Sequence, residues 1–167
     1  KPISLDTTIA SVMSFINGLT DKQKEELFVR LKEKQPFLYF YTVISISESH
    51  PDCETFLNTV FFIILRCYEY EYGEIPMLSE EVCTAFEGEA TKRLDTFTKF
   101  HSTAKFISNL KYEIGQKDLV NFMDKMIEES TDGGTRHSKE LTMILRLCNY
   151  YIIELLNRQV VSMTSSS

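Results

Sequence analysis

Three histidines and four cysteines are the side chains best suited to nucleophilic, acid–base or metal chemistry in this sequence: His50, His101 and His137, with Cys53, Cys67, Cys83 and Cys148. A serine or cysteine nucleophile needs a base within reach, usually a histidine. There is no GxSxG turn, and no cysteine sits in a recognisable active-site setting. Helical di-iron sites need a glutamate three residues before each histidine, so that both side chains point inward; those positions hold Ser47, Thr98 and Gly134. HExxH, P-loop, GxGxxG and CxxC patterns are also absent. The densest set of ligand types is Glu48, His50, Asp52 and Cys53, which would suit a transition metal. Pro51 and a helix start at this point throw those side chains apart, and helix capping accounts for Asp52. His101 falls near an apolar helix seam and reads as a core-edge histidine, while His137, after two glycines, reads as exposed. The sequence therefore assigns no catalytic residue, no metal and no cofactor.

Charge says more about partners. The chain has 18 basic and 24 acidic residues, a formal net charge of −6. Nucleic-acid binders concentrate basic charge on one face, because counterion release from phosphates drives their affinity. The densest basic stretch, Lys22 to Lys34, is interleaved with Glu25, Glu26 and Glu33 and reads as a solvated helix face. From Cys67 to Thr91 there are seven glutamates and no Lys or Arg, which leaves 17 acidic against 18 basic residues elsewhere. Within that segment Tyr68, Glu69, Tyr70, Glu71 and Tyr72 alternate, followed by Glu74, Glu80 and Glu81. Tyrosine is enriched at interfaces for its apolar ring and polar tip. These eight residues are the candidate partner-binding surface, and a basic protein is the partner they would suit.

The elements that must position them are helices. Thr20 and Gln23 have capping-box spacing, Gly18 is placed to end a first helix capped by Asp6 or Thr7, and Pro36 interrupts the second. Residues 37–47 are apolar on all sides, fitting either a buried helix or a central strand; their helical neighbours favour helix. A stripe of Phe56, Val60, Ile63, Ile64 and Cys67 predicts a broad helix, with 68–72 as its end rather than a strand, since no second alternating strand is there to pair with it. From Cys83 to Leu110 apolar residues recur at three and four, predicting one long central amphipathic helix over about 80–110. Gly88 within it would kink the helix or admit a close neighbour. Residues 131–135 read as a flexible connector, and a last helix carries Leu141 to Leu156.

The expectation is an all-α single-domain bundle of about six to seven helices over residues 1–161, with 162–167 a flexible polar tail. A chain of 167 residues can bury roughly 70% of its extended surface, enough to fold without disulfides or metal. The scattered cysteines suggest a reducing, cytoplasmic setting. No stretch near the start has the layout of a secretory signal, and the apolar runs 36–46 and 55–65 fall short of the roughly 20 residues a membrane span needs. The function expected is that of a soluble, non-catalytic protein of adaptor, inhibitor or regulatory type, binding a protein partner, with self-association through a spare apolar helix face open, and without nucleic acid or membrane. The alternative is a helical small-molecule-binding domain or enzyme, its pocket lined by aromatics such as Phe37, Tyr39, Phe40, Tyr41, Phe61, Phe62, Tyr68, Tyr150 and Tyr151.

Overall fold

Thr20 opens a helix as its spacing to Gln23 predicts. The Gln23 backbone N–H donates to Thr20 Oγ1 at 3.2 Å and the Thr20 N–H to Gln23 Oε1 at 2.9 Å, satisfying two end groups that have no intrahelical partner. It is one of eight helices among the described residues, 2–132 and 135–165, of the computed structural model. In chain order these are α1 (5–17), α2 (Asp21–Lys34), α3 (36–49), α4 (Glu54–Tyr72), α5 (Glu80–Thr98), α6 (Thr103–Glu113), α7 (Lys117–Glu129) and α8 (Lys139–Ser165). Two of them contain a stretch of wider π winding, Leu5–Ile9 in α1 and Phe40–Ile44 in α3. The fold is an all-α helical bundle. Where a connector was expected, Thr131–Asp132 (β1) pairs antiparallel with Thr135–Arg136 (β2), Thr131 opposite Arg136; Gly133 and Gly134 lie outside the described residues.

The bundle is built on α4 and α8. Between Leu57 and Tyr68, α4 is buried at every position except Asn58, Thr59 and Arg66, because its apolar residues go nearly all round. Helix α8 is buried over 152–156 as well as at Leu145 and at Cys148 to Tyr150. The two pack along each other. Around them, α4 carries α1, α2 and α3, and α8 carries α3, α6 and α7.

The expected long helix over about 80–110 is two helices, and neither is central. The chain breaks after Thr98, and the Ser102 side chain caps α6 by accepting from the Lys105 N–H at 3.1 Å. The turn folds α6 back onto α5, with Phe97 and Phe106 edge to face at 5.5 Å between ring centres. Phe100, one of the apolar residues within the stretch where the seam was expected, is 84% exposed in the turn. A seam records which residues face inward; it does not require the backbone ladder to continue between them. Helix α5 buries only Cys83, Phe86 and Ala90, and nothing lies within 4 Å of where a Cβ on Gly88 would sit, so this glycine neither admits a neighbour nor serves contact.

Other elements follow the sequence more closely. Residues 36–49 are helical, but Phe40 is 52% exposed, so α3 buries one side (Leu38, Tyr39, Thr42, Val43) rather than all. Helix α4 runs through Tyr72 and stops at Gly73, whose φ of 81° suits a residue without a Cβ. The first helix begins at Leu5 without a side-chain cap, so Asp6 and Thr7 lie in its first turn. The terminal polar stretch, expected as a flexible tail, is helical over 162–165; Ser166 and Ser167 lie outside the described residues. No helix among the described residues is long and apolar enough to cross a membrane.

Candidate functional site

The reactive side chains do not converge. All four cysteines are buried thiols in no disulfide. Burial pushes Cys67 and Cys148 up to about 12 and Cys83 up to about 11, the reverse of what activates a nucleophile. No group of three or more metal-ligating side chains forms among the described residues, and Asp52, expected as a cap, occupies no cap position: the turn Pro51–Cys53 is entered from His50 and α4 from Cys53, neither with a side-chain cap bond. His101, expected at the core edge, is exposed at the α5–α6 break with its ring 4.7 Å from that of Phe97. His137, expected to be exposed, is half-buried with Nε2 2.8 Å from Ser130 Oγ. Ser130 gives its own hydroxyl proton to the Ile127 carbonyl at 2.7 Å. Its oxygen is thus left to accept from the imidazole N–H, a tie across a helix end rather than a base poised to activate a serine.

The acidic, tyrosine-bearing segment divides into an inner and an outer set. Tyr68 belongs inside, a correction to its place on the candidate surface: it is 0% exposed, and its hydroxyl donates to the Ile153 carbonyl at 3.3 Å and to Asn157 Oδ1. A phenol in so apolar a place needs such partners. Glu69 is neutralised by Lys34 at 3.3 Å and Arg66 at 3.6 Å. Glu71 accepts from the Thr8 hydroxyl at 2.7 Å, which ties α4 to α1. Tyr72 is half-buried and accepts from Gln116 Nε2 at 3.2 Å. The outer set is Tyr70, Glu74, Glu80 and Glu81, all exposed. The alternation that marked 68–72 in the sequence is therefore divided between inside and outside by a helix, which spreads five consecutive residues round its circumference.

Beside the outer set lies a groove of about 400 Å³. Helix α5 supplies Cys83, Phe86, Ala90 and Leu94; α3 supplies Tyr41, Thr42, Ser45 and Ile46; α8 supplies Ile144, Leu147, Tyr151 and Leu155. Glu87 and Thr91 of α5 and Ser45 of α3 are exposed at its mouth. On one flank the helices are strapped by ion pairs: Arg93 to Glu154 at 3.2 Å, and Arg158 to Glu89 at 2.9 Å and to Glu154 at 3.0 Å. The Arg158 guanidinium also lies 5.0 Å over the Phe86 ring. The Tyr41 and Thr42 hydroxyls on the groove wall are already engaged. Thr84 donates to the Tyr41 hydroxyl at 3.1 Å, the Tyr41 hydroxyl donates to Glu80 at 3.4 Å, and Thr42 donates to the Leu38 carbonyl at 2.6 Å.

Comparison with protein-family models, curated proteins and solved structures gives no match. What the site can do rests on its own chemistry.

That chemistry is apolar contact with a charged margin. Of the aromatics that could have lined a ligand cavity, only Tyr41 and Tyr151 reach the groove. Tyr39, Phe61, Phe62, Tyr68 and Tyr150 are core, and Phe40 faces solvent. The strongest polar cluster was not visible in the sequence. Asp124 of α7, 6% exposed, accepts from Tyr150, from Lys111 Nζ at 3.0 Å and from Arg146 at 2.9 Å, joining α6, α7 and α8. The hydrogen bond to Asp124 stabilises the Arg146 cation, and burial next to that carboxylate holds the Tyr150 phenol protonated. Its other members lie 13, 22 and 26 residues from Asp124, and the one signal available was an acid among apolar neighbours in α7 (Val120, Met123, Ile127).

Proposed function

We propose that this chain is a non-catalytic helical protein of adaptor, inhibitor or regulatory type, which binds another protein through the acidic side formed by the end of α4, the loop after it and the start of α5. The observation that carries the reading is electrostatic. Glu69 and Glu89 are matched by cations of the same chain, whereas Glu80, Glu81 and Glu87 form no ion pair among the described residues. Among the described residues Glu74 pairs only with Lys34, at 4.0 Å and with its own carboxylate side chain 79% exposed, a surface pair that contributes little. Exposed apolar side chains accompany them: Tyr70, Met77 and Val82. Unneutralised charge beside exposed apolar area suits a basic partner, since charge steers the encounter and apolar area holds the complex. Buried reduced thiols support a cytoplasmic setting for it.

The test uses Glu74→Lys/Glu81→Lys, two exposed positions whose exchange removes no buried contact. A partner recovered on the wild-type protein and then purified should bind this variant at least tenfold more weakly at low salt, with the gap narrowing as salt rises. Equal affinity across the salt series would reject the acidic side as the contact surface.

A further inference from the structure

We infer that the groove between α3, α5 and α8 receives an amphipathic helix of a partner protein, about three turns long, with an apolar face and with lysine or arginine seven residues apart. This rests on the reading that the chain works by binding another protein, and it names the place and the form of the contact. From Cys83 to Leu94 the α5 wall spans twelve residues, eleven steps of about 1.5 Å or about 16 Å, which is three helical turns. Side chains on helical walls form ridges at spacings of three and four, into which the ridge of another helix fits. Inside the groove the thiols stay protonated, and the hydroxyls of Tyr41, Thr42 and Tyr151 are engaged within the chain, which leaves the remaining polar side chains at the mouth. Recognition there is by shape and apolar area.

Charge at the margin selects the partner. Glu87 stands at the mouth, and Glu80 is held at the edge by the Tyr41 hydroxyl. Being seven residues apart on α5, the two carboxylates lie about two turns, or 10.5 Å, from each other along the same side. A helix seated along α5 meets both with cations at its own positions i and i+7. A helix with acidic flanks is repelled at both points.

A displayed library of 16-residue amphipathic helices, randomised on both faces, is the probe, selected against the whole chain. The expected result is enrichment of Leu, Ile, Met or Phe at i, i+3/i+4 and i+7, with Lys or Arg at a pair of flanking positions seven apart. Thr91→Arg and Ser45→Arg, both at exposed positions, should each weaken the selected peptides at least tenfold while leaving the thermal melt unchanged, and Glu87→Lys should remove the basic preference. No enrichment, or binders indifferent to Thr91→Arg and Ser45→Arg, overturns the proposal. So does a dimer in light scattering that Thr91→Arg dissolves, because a second copy is then the occupant. A purified partner that loses affinity with Glu74→Lys/Glu81→Lys but not with Thr91→Arg leaves the protein-binding reading standing and removes the groove.

Discussion

The Tyr150 hydroxyl lies 2.8 and 2.9 Å from the two carboxylate oxygens of Asp124, and one of those oxygens also takes Lys111 and Arg146. One buried acid thereby holds three helices. Its removal strands two cations and a phenol, which is the costly way to break a buried pair. Asp124→Ala should therefore lower stability by about 3 kcal/mol in urea denaturation, and Tyr150→Phe by about 1 kcal/mol. A cost for Asp124→Ala no greater than that of Tyr150→Phe would show that the cluster does not stabilise the fold.

Asn149 presents the opposite case. It is fully buried in α8, and neither its Nδ2 nor its Oδ1 has a hydrogen-bond partner among the described residues. Leaving a buried amide unsatisfied costs on the order of 1–3 kcal/mol. Asn149→Leu, close in volume and without polar atoms, should raise the midpoint of chemical unfolding. A lowered midpoint would mean that the amide is satisfied by a group such as an internal water.

Gly88 sits in the solvent-facing part of α5 with open space where a Cβ would point. Helix propensity favours Ala over Gly by about 1 kcal/mol in such a position. Gly88→Ala should raise the melting temperature without changing peptide binding to the groove. A drop in melting temperature would show that the backbone there needs glycine.

Burial of thiols sets a pH limit. Cys67 and Cys148 are pushed up to about 12 and Cys83 to about 11, from 9.0, chiefly by desolvation. Above pH 9 the unfolded chain releases these protons while the folded chain keeps them, so the folded state loses ground as pH rises. The contribution is complete below about pH 9 and is lost progressively toward 12, by at most about 1.4 kcal/mol per pH unit for each thiol. Tyr68 and Tyr150, raised mainly by burial, act in the same direction. Urea midpoints should fall between pH 8 and pH 10.5, and a thiol reagent at pH 8 should label the native protein far more slowly than the unfolded one. A flat profile, or prompt labelling, would contradict the burial.

The sequence by itself settled the local decisions, since those depend on neighbours a few residues away. Thr20 and Gln23 form their capping box, Pro36 interrupts the second helix, and Gly73 ends a later one. These are contests between a backbone group and a side chain within one turn. The tertiary structure decided which helices are central and where charge remains unmatched. The seam over 80–110 looked the same whether the backbone ran straight or turned at Ser102, because periodicity specifies facing and not continuity. Tyr68, Glu69 and Glu71 share the alternation of Tyr70, yet only the packing of α4 against α8, the reach of Lys34 from α2 and the Thr8 hydroxyl of α1 engage the first three within the fold. Asp124 gained its partners, and α5 its groove, from residues far apart in the chain. Distance in sequence carries no information about such meetings, and they form only when the helices pack.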